Sequence, residues 1–244
     1  MKKILAYILT IIHLIVFGLL LLIFHPLQWL GLKLGGYSGH KWVVKQMNYA
    51  LIKSLLILGD SCTLINEQEL PKGVPLIFVS NHQSLYDISP IQYFFDDHHV
   101  KFVSKKELSK GFPSVSFNLR HGGSVLIDRK DPRSALKAMK EFGQYLEKNK
   151  YSAAIFPEGT RSKDGHPKRF SPNGLKMLVK TMPSAYIVPL TINNSWKIIK
   201  DGYWPMNIGV KATWEVHPPI PVKGQDFDEL FAKVEEVIKA SIRV

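Results

Sequence analysis

The chain has 244 residues, 45% of them hydrophobic, enough for one sizeable α/β domain with an accessory segment, and this composition excludes a disordered or fibrous protein. The formal net charge of +12 favours anionic partners, such as lipid headgroups, nucleic acid or acidic carrier proteins. The single cysteine, Cys62, excludes an intramolecular disulfide and a cysteine-based metal cage, and its surroundings predict a buried apolar side chain.

The N-terminal segment predicts attachment to a membrane. Residues 4–24 are uncharged and apolar, follow Lys2 and Lys3, and as a helix would span about 30 Å, the thickness of a hydrocarbon core. No small-residue cleavage site follows, so a retained segment is favoured over a signal peptide. A glycine-rich turn at 31–42 and a second apolar stretch at 47–58 leave two arrangements open, a spanning helix or a hairpin that enters one leaflet.

Polar residues refine this prediction. Lys33, Lys41 and Lys45 are basic residues beside membrane helices, which usually stay cytoplasmic. His13 would be costly in lipid, so we expect it to face the partner helix. The sequence therefore predicts a membrane-associated helical segment at 1–60 and a domain at 61–244 on the cytoplasmic side.

The rest of the chain alternates short apolar runs with longer amphipathic stretches, which predicts an α/β domain with a mostly parallel central sheet flanked by helices. Strands are predicted at 75–80, 100–104, 124–128, 152–156, 186–191 and 209–216. Helices are predicted to start after Asp131, Ser171 and Asp226, since an N-cap residue stands at each place. The first of these helices is predicted to place Leu136, Met139, Phe142, Gly143 and Leu146 on one face.

The stretch Ser80-Asn81-His82-Gln83-Ser84-Leu85-Tyr86-Asp87 directly follows a predicted buried strand. His82 can accept a proton near neutral pH, and a carboxylate on its second ring nitrogen would stabilise the imidazolium that forms. Five residues along one helix would place His82 and Asp87 about 140° apart. The pair therefore forms only if His82 lies in the loop and Asp87 in the first helical turn. By itself, such a pair is more often structural than catalytic.

Other predicted strands end in polar stretches. Residues 156–162 (FPEGTRS) form a turn whose backbone N–H groups, with Thr160 and Arg161, can donate to a phosphate. Residues 123–129 (GSVLIDR) place Arg129 just past another strand. Residues 188–192 (VPLTI) form a further block. Since parallel strands end at one edge of a sheet, these stretches can converge there.

These four stretches, in this order, resemble the blocks of the glycerolipid acyltransferases of the lysophosphatidic acid acyltransferase type. The family's blocks are Asn-His-x4-Asp, Gly-x-x-Phe-Ile-Asp/Asn-Arg, Phe-Pro-Glu-Gly-Thr and a Val-Pro block, and the resemblance covers roughly residues 75 to 195. Leu126 stands where the family usually has Phe. The fourth block here, VPLTINNS, lacks a later proline that is often present.

The resemblance implies transfer of a fatty acyl group from acyl-CoA or an acyl carrier protein to the free hydroxyl of a lysophospholipid, most readily 1-acyl-sn-glycerol 3-phosphate, giving phosphatidic acid. His82 would be the general base, oriented by Asp87. The implied substrate-binding residues are Lys105, Arg129, Glu158, Gly159, Thr160 and Arg161. This chemistry requires no metal and no organic cofactor.

Three alternatives remain open on the sequence. A lysophospholipid–phospholipid transacylase, or an acyltransferase for another lysolipid, would use the same blocks. A non-catalytic lipid-binding protein would keep the anchor without needing His82. A nucleic-acid-binding protein would explain the charge, but it leaves the apolar N-terminus unexplained. The run 96–99 (DDHH) is read as a solvated loop, since no other clustered ligands support a metal site.

Overall fold

The computed structural model describes residues 2–128 and 130–244. Its first element, α1 (Lys2–Ser54), is interrupted at Gly36, whose φ of 56° separates a first arm, 2–35, from a second arm, 37–54. The two arms pack side by side, with Val44, Met47 and Leu51 against Phe17, Leu20, Leu21 and Phe24. The predicted turn over 31–42 is wrong in extent, because one residue at positive φ suffices and its neighbours remain helical.

The hairpin formed by the two arms exposes many large apolar side chains and directs several polar side chains toward the domain. Its exposed large side chains include Ile4, Ile8, Ile15, Leu19, Leu22, Ile23, Leu34 and Trp42. Thr10, by contrast, is fully buried and its Oγ1 accepts a hydrogen bond from Met206 N at 3.0 Å. His25 lies fifteen residues after Thr10, and its Nδ1 accepts a hydrogen bond from Ser114 N at 3.0 Å. The first arm therefore lies along the domain, and in the described chain this helical segment is the one long and apolar enough to cross a membrane.

A mixed sheet forms the centre of the domain. Its strands are β1 (Ser61–Ile65), β2 (Leu76–Ser80), β3 (Val100–Lys105), β4 (Val125–Ile127), β5 (Ser152–Ile155), β6 (Tyr186–Asn193), β7 (Lys211–Val216) and β8 (Ile220–Pro221). The order is β1-β7-β6-β2-β5-β3-β4, with β8 also pairing with β6. From β6 to β4 the pairs are parallel, whereas β7 and β8 run antiparallel to β6. The prediction of a mostly parallel sheet is confirmed. Strands β1 and β8 were not predicted from the sequence.

Helices cover both faces of the sheet. They are α2 (Ile88–Phe94), α3 (Val115–His121), α4 (Pro132–Asn149), α5 (Pro172–Thr181) and α6 (Phe227–Ala240). Alternate residues of β2 serve opposite faces, as strand geometry requires. Ile77 and Val79 pack with α4, α5 and α6, while Leu76 and Phe78 pack with the α2 side. β2 is thus buried on both faces, which fixes the strand from which the motif at 80–87 emerges.

The predicted helix starts are found with two corrections. Asp131 Oδ1 accepts from Ser134 N at 3.1 Å, and Asp226 Oδ1 accepts from Asp228 N at 2.9 Å, so both residues cap their helices. Ser171 precedes α5, but its side chain makes no capping hydrogen bond. Leu136 is 50% exposed, so the buried face of α4 consists of the later members of the predicted set, Met139, Phe142, Gly143 and Leu146.

The hairpin joins the sheet at a buried carboxyl group. A 3-10 turn (Leu55–Leu58) and Gly59 lead to Asp60, whose Oδ1 accepts from Val210 N at 2.7 Å. Its Oδ2 is buried and has no hydrogen-bond partner among the residues that the structure describes. Burial raises the pKa of Asp60 to about 7, because a charged carboxylate loses its hydration there.

This pKa gives stability a pH dependence. Between the ordinary carboxyl range and about pH 7, the folded protein holds a proton on Asp60 that the unfolded chain has lost, so stability falls as pH rises through that window. In Asp60→Asn the side chain cannot ionise, so this variant should lose the part of the pH dependence of stability that Asp60 causes. Thermal unfolding in detergent micelles at pH 5 and pH 7.5 measures it, with the exposed Asp201→Asn as the control. An equal pH dependence in Asp60→Asn and the parent protein would contradict the assignment.

Candidate active site

Three parallel strands deliver the polar motifs to one edge of the sheet. β2 ends just before His82, β5 ends just before the turn that holds Glu158, and β6 ends just before Ser195. β2 pairs with both β5 and β6, so these chain ends are neighbours. Loops at the carboxyl ends of parallel strands are where α/β sheets bind ligands.

His82 and Asp87 form the pair that the sequence required. His82 lies in the loop after β2, and Asp87 ends a 3-10 turn (Leu85–Asp87) directly before α2. The His82 Nδ1 and Asp87 Oδ2 atoms are 2.8 Å apart. The imidazole also stacks on Phe156, with ring centroids 4.1 Å apart and an interplanar angle of 18°. Among the described residues, Nε2 has no hydrogen-bond partner, so it is the ring nitrogen available to a substrate.

Asp87 is held by four donors. Its Oδ2 accepts from His82 Nδ1 and from the backbone N–H groups of Gln83 at 2.7 Å and Ser84 at 2.9 Å. Its Oδ1 accepts from Ser195 Oγ at 2.6 Å. Asp87 is completely buried, so these four donors replace the hydrogen bonds to water that its oxygens lose. A carboxylate on Nδ1 keeps the proton there and leaves the lone pair on Nε2.

Glu158 holds the two motifs together. Its Oε1 accepts from His82 N at 2.8 Å, and its Oε2 accepts from Lys168 N at 3.0 Å. Ser162 N donates to His82 O at 2.7 Å, which fastens the other end of the same loop to the motif. Burial raises the pKa of Glu158, although both backbone donors oppose the shift. Both carboxylate oxygens thus already accept from the backbone; direct substrate binding by Glu158 stays a prediction.

The turn after β5 passes from half-buried to exposed residues. Gly159 has a φ of 69°, a conformation suited to glycine, and its N–H donates to Phe156 O at 3.0 Å. Thr160 and Arg161 are exposed. Lys168 Nζ donates to Thr160 Oγ1 at 3.0 Å and to Arg161 O at 2.8 Å. This arrangement leaves the guanidinium of Arg161 available at the rim of the edge.

Two other cationic residues, Lys105 and Arg129, are predicted for the site. Lys105 is exposed at the end of β3, on the same edge but two strands from β2, which corresponds to about 10 Å at ordinary strand spacing. Arg129 lies outside the described residues. The structure therefore brings His82, Asp87 and Glu158 into direct contact, adds Gly159, Thr160 and Arg161 in the adjoining turn, and leaves Lys105 apart.

Sequence reasoning missed two contacts that set this geometry. Asn81 pairs with the backbone of Ile192 on β6, its Nδ2 donating to Ile192 O at 2.8 Å and its Oδ1 accepting from Ile192 N at 2.7 Å. Ser195, fully buried, reaches Asp87 from the end of the fourth block. The sequence does show that Asn81 and Ser195 are polar residues at the ends of buried strands. No sequence pattern, however, identifies the residue that each one contacts on another strand.

The run 96–99 has no metal-binding geometry. Asp96 Oδ2 lies 3.0 Å from Lys41 Nζ and 3.1 Å from Lys45 Nζ, so this carboxylate pairs with the hairpin. Within the part of the chain that the structure describes, no three His, Cys, Asp or Glu side chains are grouped as metal ligands. Cys62 is partly buried, and burial raises the pKa of its thiol to about 12, which disfavours a reactive thiolate.

Comparison with known proteins decides the family. The family model described as Acyltransferase matches residues 61–193, which include the dyad, the turn after β5 and the end of β6. This chain belongs to the acyltransferase family. The acyltransferase blocks therefore occupy the strand ends that meet at the described edge, and the predicted family is confirmed.

Individual relatives agree with this membership. The 1-acyl-sn-glycerol-3-phosphate acyltransferase of Borreliella burgdorferi is 31% identical over 178 residues, covering 72% of this chain and 68% of the relative. The chloroplastic enzyme of that name from Arabidopsis thaliana is 34% identical over 136 residues, covering 55% of this chain. That match spans only 36% of the Arabidopsis protein, so this chain covers little more than a third of the plant enzyme's length.

A solved structure shares the whole fold. The crystal structure of the 1-acyl-sn-glycerophosphate acyltransferase PlsC from Thermotoga maritima superposes with a TM-score of 0.81 at 27% sequence identity. The superposition covers 98% of this acyltransferase and 95% of the Thermotoga chain. Since nearly all of both chains is covered, the N-terminal hairpin belongs to the shared architecture along with the sheet.

Ser195→Ala tests whether the hydrogen bond from Ser195 Oγ holds the Asp87 carboxylate in place. The substitution leaves the buried Oδ1 without its donor, and hydrogen bonds to charged groups contribute about 1.5–3 kcal/mol to stability. We expect a loss of about that size in chemical unfolding, together with acyl transfer about tenfold slower, because a loosened carboxylate no longer holds the imidazole in place. Ser241→Ala is the control, since Ser241 Oγ donates to Val237 O at 3.0 Å far from Asp87 in sequence. Equal rates in both variants would contradict this role.

Proposed function

We propose that this acyltransferase transfers a fatty acyl group from an acyl thioester to the free hydroxyl of 1-acyl-sn-glycerol 3-phosphate, giving phosphatidic acid. The observation that carries the proposal is the His82–Asp87 dyad, with Nε2 unpaired among the described residues, at the strand edge of a fold shared with PlsC. The acceptor class is taken from the names of the two relatives, both of which are 1-acyl-sn-glycerol-3-phosphate acyltransferases.

The proposed chemistry is direct transfer. The acceptor hydroxyl donates its proton to His82 Nε2 as its oxygen attacks the thioester carbonyl carbon, forming the new C–O bond. The C–S bond breaks, and the proton passes from the imidazolium to the departing sulfur. The buried Asp87 carboxylate, bonded to Nδ1, stabilises the imidazolium while the proton resides on it. Ser84 is an unsuitable nucleophile, since it is fully buried and its Oγ accepts from Tyr86 N at 3.3 Å.

The acceptor phosphate is assigned to the cations of the same edge. Arg161 is exposed in the turn that Ser162 and Glu158 attach to the His82 loop, so the turn that carries this residue lies beside the dyad. A guanidinium binds phosphate with paired N–H donors, so it can orient the acceptor as well as attract it. Lys105 adds positive charge along the edge, and Arg129 is assigned as a second phosphate ligand on the family resemblance.

The hairpin is proposed to attach the enzyme to one leaflet on the cytoplasmic side. Its polar residues Thr10 and His25 bond the domain fifteen residues apart, so the first arm runs beside the domain for roughly 22 Å at 1.5 Å per residue. A helix held sideways in this manner presents its apolar face to lipid along its length and does not project across a bilayer. Acyl-CoA and acyl carrier protein, the proposed donors, would approach from the aqueous side.

His82→Ala should nearly abolish transfer while leaving lipid binding intact. A general base contributes about a hundred- to ten-thousand-fold, so a decrease of at least a hundredfold is expected. The assay supplies purified protein with lysophosphatidic acid and, separately, acyl-CoA or acyl carrier protein thioester, and mass spectrometry detects phosphatidic acid. His166→Ala is the control, because His166 is an exposed histidine in the loop after β5. Transfer above a tenth of the normal rate in His82→Ala would rule out this role.

Arg161→Gln should raise the KM for the phosphate-bearing acceptor about tenfold or more and leave the KM for the donor nearly unchanged, because loss of a charged hydrogen bond costs about 1.5–3 kcal/mol. Lys180→Gln removes one positive charge from the end of α5, which runs from the dyad edge to the opposite edge of the sheet. It serves as the matched control. An unchanged acceptor KM in Arg161→Gln would overturn the phosphate assignment.

A further inference from the structure

The hairpin touches the catalytic motif through a single polar contact among the described residues. His13, completely buried in the first arm, has its Nε2 3.0 Å from the hydroxyl oxygen of Tyr86. Tyr86 immediately precedes Asp87 in the sequence. Other hydrogen bonds between the first arm and the domain, among them Thr10 with Met206 and His25 with Ser114, reach residues outside the motif.

The direction of these hydrogen bonds follows from the partners. His13 Nδ1 lies 3.1 Å from the carbonyl oxygen of Ser54, in the last turn of the second arm. A carbonyl oxygen only accepts, so Nδ1 carries the proton and, in the neutral ring, Nε2 accepts from the Tyr86 hydroxyl. His13 therefore joins three elements that are far apart in sequence: the first arm, the end of the second arm, and the turn that carries Asp87.

Tyr86 sits inside the turn that fixes the catalytic carboxylate. Its backbone N–H donates to Ser84 Oγ at 3.3 Å, while Ser84 N donates to Asp87 Oδ2 at 2.9 Å. Its ring is buried among Leu55, Leu58, Ile198 and Met206, with Phe17 of the first arm packed against the same cluster. A displacement of the hairpin therefore moves Tyr86, and with it the turn on which Asp87 depends.

We propose that His13 and Tyr86 are positioning residues that couple the membrane hairpin to the His82–Asp87 dyad. The inference rests on the proposed acyl transfer as the activity to be measured. Neither residue meets the substrate, since both side chains are buried between the hairpin and the sheet. Their hydrogen bond ties the position of the apolar hairpin, which the bilayer determines, to the geometry of the base. The enzyme is thus most active when the hairpin is seated against the domain.

The test uses three variants of the full chain in vesicles. Tyr86→Phe removes the hydroxyl and keeps the ring, His13→Leu removes the acceptor, and the double variant removes both. Because the two single variants break one shared bond, their effects should not add. We expect kcat to fall about tenfold in each variant, including the double variant, with the acceptor KM changed less than twofold.

Thr10→Val is the matched control. It removes another buried hydrogen bond between the same arm and the domain, to Met206 N, without touching the motif. A purely structural role would lower the melting temperature of Thr10→Val and Tyr86→Phe alike and leave kcat per folded molecule at the parent value in both. If Tyr86 positions the dyad, kcat should fall in Tyr86→Phe and stay at the parent value in Thr10→Val.

The outcomes separate this inference from the proposed function. Tyr86→Phe with kcat within twofold of the parent, additive effects in the double variant, or an equal fall in Thr10→Val would each overturn the coupling. A parent protein that acylates none of the lysolipids tested would overturn the proposed function instead. Transfer by the parent with a selective, non-additive loss at Tyr86 and His13 supports both.

Discussion

The structure of the site depends on one buried carboxylate. Asp87 is inaccessible to water, and its two oxygens accept from His82, from two backbone N–H groups and from Ser195. A buried ion is costly unless it is paired and fully hydrogen-bonded, so these donors must all be in place at once. The loop after β2, the start of α2 and the end of β6 are therefore held in one arrangement around this residue.

The sheet makes that arrangement possible. β2 is the central strand between β5 and β6, and it is buried on both faces, so the chain leaves it at a fixed point. Asn81 pairs with the backbone of Ile192 on one side, and Glu158 accepts from the backbone of His82 on the other. Neighbouring strands thus hold the His82 loop from both sides, while Arg161 in the adjoining turn is exposed.

The hairpin adds a second constraint. Several of its polar side chains are buried against the protein, where each needs a hydrogen-bond partner to offset the loss of water. That requirement places His13 against Tyr86 and Ser54, and Thr10 against Met206. The same segment therefore carries an exposed apolar surface and a set of polar contacts with the domain, and these contacts reach the turn that carries Asp87.

The sequence by itself determined the local features. Apolar runs bounded by polar residues predicted six of the eight strands, Asp131 and Asp226 marked helix starts, and the spacing of His82 and Asp87 required a loop followed by a helical turn, because these properties depend on neighbouring residues. Tertiary structure decided the rest. Ser195 meets Asp87 across 108 residues, His13 meets Tyr86 across 73, and Glu158 meets His82 across 76. Such pairs exist only because strand order and hairpin packing bring distant segments together, and no local pattern encodes that order.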